Sequence, residues 1–248
     1  MRMCSQSQHG ATGNGIPRHY YLARDIHACR IDESYVFLDA ACDRYLFFRA
    51  TQASWLYEIA TVDVESPLSA DAVCFAEHLR RQGLLRQIGK FADPIPAQEE
   101  CSRPILGTIS FGEAPNRVGL RELVKFAVLF LRWSHLQTPS QRSLPMLLAA
   151  VRRAKRQASM RPYPGNEIVR RLSNQYHAMT PWLFSIHDAC FFSSFLLVLF
   201  LARHGISADW VFGVRLSPFG AHCWVSHRGV ILNEDPDIAA AYRTILIV

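Results

Sequence analysis

The run from Ala189 to Ala202 constrains this chain more than any other feature. Only Ser193 and Ser194 interrupt its apolar and cysteine residues. A helix apolar on every side has no face for solvent, so it belongs at the centre of a domain or in lipid. This run is shorter than the roughly 20 apolar residues that cross a bilayer. A second apolar stretch, 126–131, is cut short by Arg132. Both therefore read as buried helices, the longer one stopped by Gly205, and no membrane association is expected.

Chain-wide composition agrees with a packed fold. Half of the 248 residues are hydrophobic and 19% are charged, which excludes a disordered chain. No signal peptide opens the sequence, and residues 1–17 read as a loose polar tail. The seven cysteines (Cys4, Cys29, Cys42, Cys74, Cys101, Cys190, Cys223) are scattered without a CxxC pair. Together these features predict reduced thiols in a cytoplasmic protein. The formal charge is +6, part of it in Arg152, Arg153, Lys155, Arg156 and Arg161. With no interleaved aromatics or recognition motif, that cluster reads as a solvated helix face, and no nucleic-acid partner is expected.

Periodicity divides the rest into three parts: an N-terminal unit at 18–92, a linker at 93–116 and a second domain at 117–248. In the first, residues 20–22, 34–38 and 44–48 are aromatic and β-branched, with breaks at Asp32-Glu33 and Asp43-Arg44, and read as a three-stranded meander. Thr51 is a candidate cap for a helix carrying Trp55, Leu56 and Ile59. Ser69 is another, for a helix through Val73, Ala76, Leu79 and Arg80 to Gly83. Three strands then helices make a small α+β unit of winged-helix type. Pro94, Pro96, Pro104, Pro115, Gly107 and Gly112 mark the linker. Helices are predicted at 120–136 (apolar face Leu120, Leu123, Val124, Ala127, Leu131, ended before Pro139), 144–156, 168–178 and 189–204. Strands follow at 210–216, 221–227 and 230–234, so the second domain is α+β with an antiparallel sheet last.

Cys190 stands in the first turn of the apolar helix. Unsatisfied N–H groups and the positive end of the macrodipole stabilise a thiolate there, and the same N–H groups can donate to an oxyanion. The bland alternative is a buried, inert cysteine. Downstream, Arg228-Gly229 separates two alternating apolar strands and reads as a hairpin turn. His227 then faces Val230, and continuing that register puts His222 opposite Asp235. Cross-strand partners have Cβ atoms about 4.5–5.5 Å apart, which suits a carboxylate that orients an imidazole. Glu234 could replace Asp235 as orienter but would point to the other face, and a one-residue slip would put His222 and Asp235 on opposite faces. Read singly, His222 is also a candidate core histidine, and Asp235 a turn residue before Pro236. A zinc site from His187, Cys190, His222 and Cys223 is a competing assignment. Adjacent strand residues point to opposite faces, which disfavours joint ligation by His222 and Cys223, so no metal is expected.

The order Cys190, then Ala221-His222-Cys223-Trp224-Val225, then Leu232-Asn233-Glu234-Asp235-Pro236 resembles the transglutaminase-like cysteine peptidases of lasso-peptide biosynthesis, the B proteins that remove a precursor's leader. Gly205-Ile206 and Val211-Phe212-Gly213-Val214-Arg215 extend the likeness. The resemblance implies a papain- or transglutaminase-like fold with a Cys-His-Asp triad at Cys190, His222 and Asp235. Cys223 departs from it, standing where that family usually has a small residue. Some members carry a fused winged-helix-like recognition element that takes the leader as an added strand. On residues 20–85 this implies leader binding between Tyr45 and Phe47 on the third strand and Val73, Glu77 and Arg80 on the following helix. It also implies no cofactor in this chain, with ATP use left to a partner lasso cyclase that receives the core peptide. Acyl transfer to an amine on the same triad, and a non-catalytic leader-binding scaffold, are the alternatives.

Overall fold

The computed structural model describes residues 20–62, 67–87, 93–98, 107–108, 118–134, 143–180 and 189–248. The predicted tail at 1–17, the linker positions Pro104, Gly112 and Pro115, and Pro139 and His187 lie outside the described residues. The N-terminal unit runs β1 (Tyr21–Leu22), β2 (Ile26–Ile31), β3 (Ser34–Asp39), β4 (Arg44–Phe48), α1 (Thr51–Thr61), α2 (Ala70–Arg81) and β5 (Leu85–Arg86). The second part runs β6 (Gly107–Thr108), α3 (Leu120–Trp133), α4 (Leu144–Ser159), α5 (Asn166–Met179) and α6 (Ala189–Ala202). It closes with β7 (Asp209–Leu216), β8 (Phe219–His227), β9 (Val230–Ile231), α7 (Pro236–Ala240) and β10 (Arg243–Ile247).

The meander is real, but its first strand is not the one expected. The three-stranded sheet has the order β2-β3-β4, whereas Tyr21 and Leu22 pair with Arg86 and Leu85 in a separate ladder. β2 carries His27 and Arg30 among its apolar residues, so its composition hides a strand that its partner β3 enforces. The turn at Asp32-Glu33 is as predicted: Ile31 pairs with Ser34, and Asp32 has φ 50°, a conformation that short polar side chains tolerate. Ser69 caps α2 by accepting the Ala72 N–H at 3.2 Å. Thr51 does not cap α1; it is the first helical residue, behind Ala50.

Strict alternation makes this sheet a shared wall. Ile26, Tyr35, Phe37 and Phe48 face one way, into a core with Leu56, Phe75, Ala76 and Leu79 of α1 and α2. Cys29, Ile31, Val36 and Leu38 face the other way, into the core built around α6. Period-two alternation sends successive residues of one strand into different cores. Residues 93–98, read from sequence as the start of a linker, lie on the first core: Leu22 N–H donates to the Asp93 carbonyl at 2.9 Å, Tyr35 Oη donates to the Pro96 carbonyl at 3.0 Å, and Ile95 is buried.

α6 sits where its composition demanded. From Phe195 to Leu201 no residue is more than 6% exposed, with α3, α4 and α5 packed around it and β7 and β8 beneath. Gly205, at φ 79°, ends it as expected, Ile206 N–H returning to the Leu201 carbonyl at 3.1 Å. α3 differs from the sequence reading. Leu120, Leu123, Val124, Ala127 and Leu131 are exposed, and the buried residues are Phe126 and Leu129. Arg121, Lys125 and Arg132 share one side and the rest of the helix is apolar over a wide arc, so periodicity alone did not say which part of that arc meets α6. The five-stranded sheet has the order β10-β7-β8-β9-β6, with β6 parallel to β9 and the other neighbours antiparallel. α7 and β10 had no counterpart in the sequence reading. No described helix is long and apolar enough to cross a membrane.

Candidate active site

β8 pairs with β7 along its length, from Leu216↔Phe219 to Asp209↔Ser226, but its other edge is covered only in part. Arg228 and Gly229 both adopt positive φ (51° and 81°), forming the two-residue turn that favours a tight hairpin. The register is the expected one: His227 faces Val230 and Ser226 faces Ile231, and Leu232 N–H reaches the Val225 carbonyl at 2.9 Å. There the backbone ladder stops. Val225 N–H donates to Asn233 Oδ1 at 2.7 Å, and Asn233 Nδ2 donates to Ser194 Oγ at 2.8 Å. Ser194 Oγ in turn donates to the Cys223 carbonyl at 3.3 Å, and Cys190 lies one turn before Ser194 on α6. Side chains thus replace a strand along this stretch of edge, and buried backbone groups stay satisfied.

This termination corrects the expected carboxylate. The strand predicted over 230–234 ends at Ile231, so the register never carries Asp235 across from His222. Glu234 takes the imidazole instead, its Oε2 on His222 Nε2 at 2.5 Å, while its Oε1 accepts the Asp235 N–H at 2.8 Å. Asp235 caps α7: its carboxylate accepts the Asp237 N–H at 2.8 Å, with Pro236 at the first helical position. A helix start was legible there, because Asp-Pro followed by Asp is an N-terminal signature.

Cys190, half-buried in the first turn of α6, lies beside His222 and the Cys223 thiol. With Nε2 held by Glu234, Nδ1 is the nitrogen left for sulfur. The Cys223 thiol, then the His222 imidazolium, hold the Cys190 thiol well below its usual range, against the opposing effect of burial. Cys190 first, then Glu234 as acceptor of the His222 N–H, raise His222 to about 9. His222 in turn lowers Glu234, and burial first, then Cys190, pushes Cys223 up. The arrangement is a thiolate–imidazolium pair with a carboxylate behind it, the components of an activated nucleophile.

Other residues fix the ring. His222 lies 5.4 Å from Tyr242 and 6.2 Å from Trp224, centroid to centroid. Gly213 pairs with His222 on β7, where a Cβ would come within 2.8 Å of the Trp224 ring and of Tyr242 Cβ. The absent side chain is what lets both aromatics pack beneath the imidazole. Gly213 and Asn233 entered the sequence analysis only within the family likeness, Ser194 only as a break in the apolar run and Tyr242 not at all, because each acts through a tertiary neighbour. Among the described residues no cluster of His, Cys, Asp and Glu fits a metal ion.

The five positions predicted for leader binding do not line one groove. Tyr45 and Phe47 sit on the sheet face turned toward the second domain, where both rings meet Phe219 edge-on at 5.6 and 4.9 Å. Val73, Glu77 and Arg80 lie on α2, which packs on the opposite face. Glu77 accepts from Tyr20 Oη at 3.0 Å and Gln87 Nε2 at 2.9 Å, and pairs with Arg80 at 2.8 Å. The alternation that gives the sheet two cores is what separates the two groups.

No curated protein and no solved structure matches the chain. A family model does, over residues 127–247, a stretch that begins in α3, ends in β10 and contains Cys190, His222 and Glu234. That model describes the transglutaminase-like superfamily, and the second part of this chain carries a transglutaminase-like domain.

Proposed function

We propose that the protein is a cysteine peptidase that holds the leader of a ribosomally made lasso-peptide precursor and cleaves it from the core. The observation that carries this reading is the contact of Cys190 with His222, whose second ring nitrogen takes Glu234. The thiolate attacks the carbonyl at the leader–core junction, and N–H groups of the first turn of α6 receive the oxyanion. His222 gives its proton to the departing core amine, then takes one from the water that hydrolyses the thioester. Glu234 keeps the imidazole oriented throughout, the role first given to Asp235.

The N-terminal unit is assigned to recognition, as a winged-helix-like element. β4 is the outer strand of its sheet, and a strand edge offers backbone donors and acceptors to an extended peptide. Phe47 and Phe219 stand 39% and 46% exposed beside it. The reading places the leader on this edge and keeps Tyr45 and Phe47 as its contacts, with α2 less directly involved. The chain requires no cofactor in this scheme; an ATP-dependent cyclase takes the released core, and the chemistry belongs in the cytoplasm. Incubating Cys190→Ala with the precursor should give no cleavage by mass spectrometry, a loss of at least about 10,000-fold. Undiminished cleavage by this variant would falsify the reading. The match to the transglutaminase-like superfamily favours a second outcome, transfer of the acyl group to an amine. Product mass separates the two, because hydrolysis adds water and transfer adds the amine.

A further inference from the structure

We propose that Cys223 is a resolving thiol, and that Cys190 and Cys223 form a reversible disulfide when a hydroperoxide reaches the site. The inference depends on the two sulfurs and not on which peptide the protein cleaves. Cys223 lies on the stretch of β8 that α6 covers in place of a strand. Ser194 holds its carbonyl at 3.3 Å, and Cys190 lies one turn earlier on the same helix, beside the Cys223 thiol. The two sulfurs are therefore joined across the helix–strand contact, each fixed by backbone on its own element. Exposure separates their roles: Cys223 is 3% exposed, whereas Cys190, in the first turn of α6, is half-buried. An oxidant from solvent meets Cys190 first. Of the other described thiols, Cys42 lies in the turn before β4 and Cys74 on α2, while Cys29, on β2, is buried in the same core as Cys223.

The chemistry balances in two steps. The Cys190 thiolate attacks one peroxide oxygen, the O–O bond breaks, and the alcohol or water leaves after taking a proton, which His222 supplies. Sulfur is oxidised by two electrons to a sulfenic acid as the peroxide is reduced. The Cys223 sulfur then attacks that sulfenic sulfur; the S–S bond forms, the S–O bond breaks, and the Cys223 proton departs with the hydroxide as water. Without a neighbouring thiol, the sulfenic acid meets a second peroxide and becomes sulfinic acid, which ordinary thiols do not reverse. Cys223 thus protects the nucleophile while silencing it.

The test treats the full chain with a modest molar excess of hydrogen peroxide and digests it without reductant. The wild type should give one peptide pair joining Cys190 to Cys223, lighter by about 2 Da than the two thiol peptides together. Iodoacetamide labelling of Cys190 should vanish with oxidation and return with dithiothreitol. In Cys223→Ala the same treatment should leave Cys190 about 32 Da heavier, as sulfinic acid, with labelling not recovered. Cys223→Ser serves as the second variant and should behave alike. The proposal is overturned if wild-type Cys190 goes to sulfinic acid without the crosslink, or joins a different cysteine. Because labelling and mass are the readouts, these results stand apart from any failure to cleave a precursor.

Discussion

The outer edge of β8 divides at Val225 into two regions that solve one problem differently. From Val225 to His227 the edge is covered by backbone, through Leu232 and the two pairs to β9. Around Cys223 it is covered by the side chains of Asn233 and Ser194, with Cys190 one turn before Ser194. A backbone ladder satisfies donors and acceptors but leaves nothing reactive. Side chains that satisfy the same groups bring their own chemistry, and the reactive groups of the molecule gather where the ladder ends. Stopping β9 early is what makes room for the helix N-terminus and for Glu234 at His222.

The contrast between adjacent carboxylates is the sharpest way to break this picture. Glu234→Gln removes the charge behind the imidazole and should lower kcat by about 100- to 10,000-fold. Asp235→Asn should leave kcat within a few-fold, since its carboxylate caps α7. Equal effects in a cleavage assay would return the orienting role to Asp235.

The pH profile gives a second, smaller handle. In the proposed peptidase, activity requires the thiolate and the imidazolium together, so it should fall as pH drops through the lowered Cys190 value and again as pH rises through about 9, where His222 loses its proton. Glu234 is one of the groups that raise His222; Glu234→Gln should therefore move the alkaline limb to lower pH and leave the acid limb nearly in place. A limb that moved upward would contradict the assignment.

On the stability side, Asn233→Ala should cost about 1–3 kcal/mol in urea unfolding, because the Val225 N–H loses its partner inside the protein. The smallest effect expected is that of Asp235→Ala, about 1 kcal/mol from the lost cap. Were the two equal, Asn233 would be no substitute for a strand.

Much of this was legible in residues that report on themselves. An apolar run with no polar face had to be buried, and α6 is. Arg228-Gly229 fixed the hairpin register, and Ser69 and Gly205 marked helix ends by local geometry. What was not legible depended on partners. β2 forms because β3 pairs with it, and α3 buries Phe126 and Leu129 because those residues meet α6 and α5. The leader-binding set divides because the sheet has a core on each face.

By itself, then, the sequence determined that Cys190 opens a buried helix and that His222 lies on a hairpin downstream of it. Only the tertiary structure decided which carboxylate serves the imidazole and that Cys223 touches the nucleophile. The reason is physical. Register propagates along a ladder only while the ladder lasts, and its end point was set by α6 and Asn233 arriving at the strand edge, residues that no local pattern connects to His222.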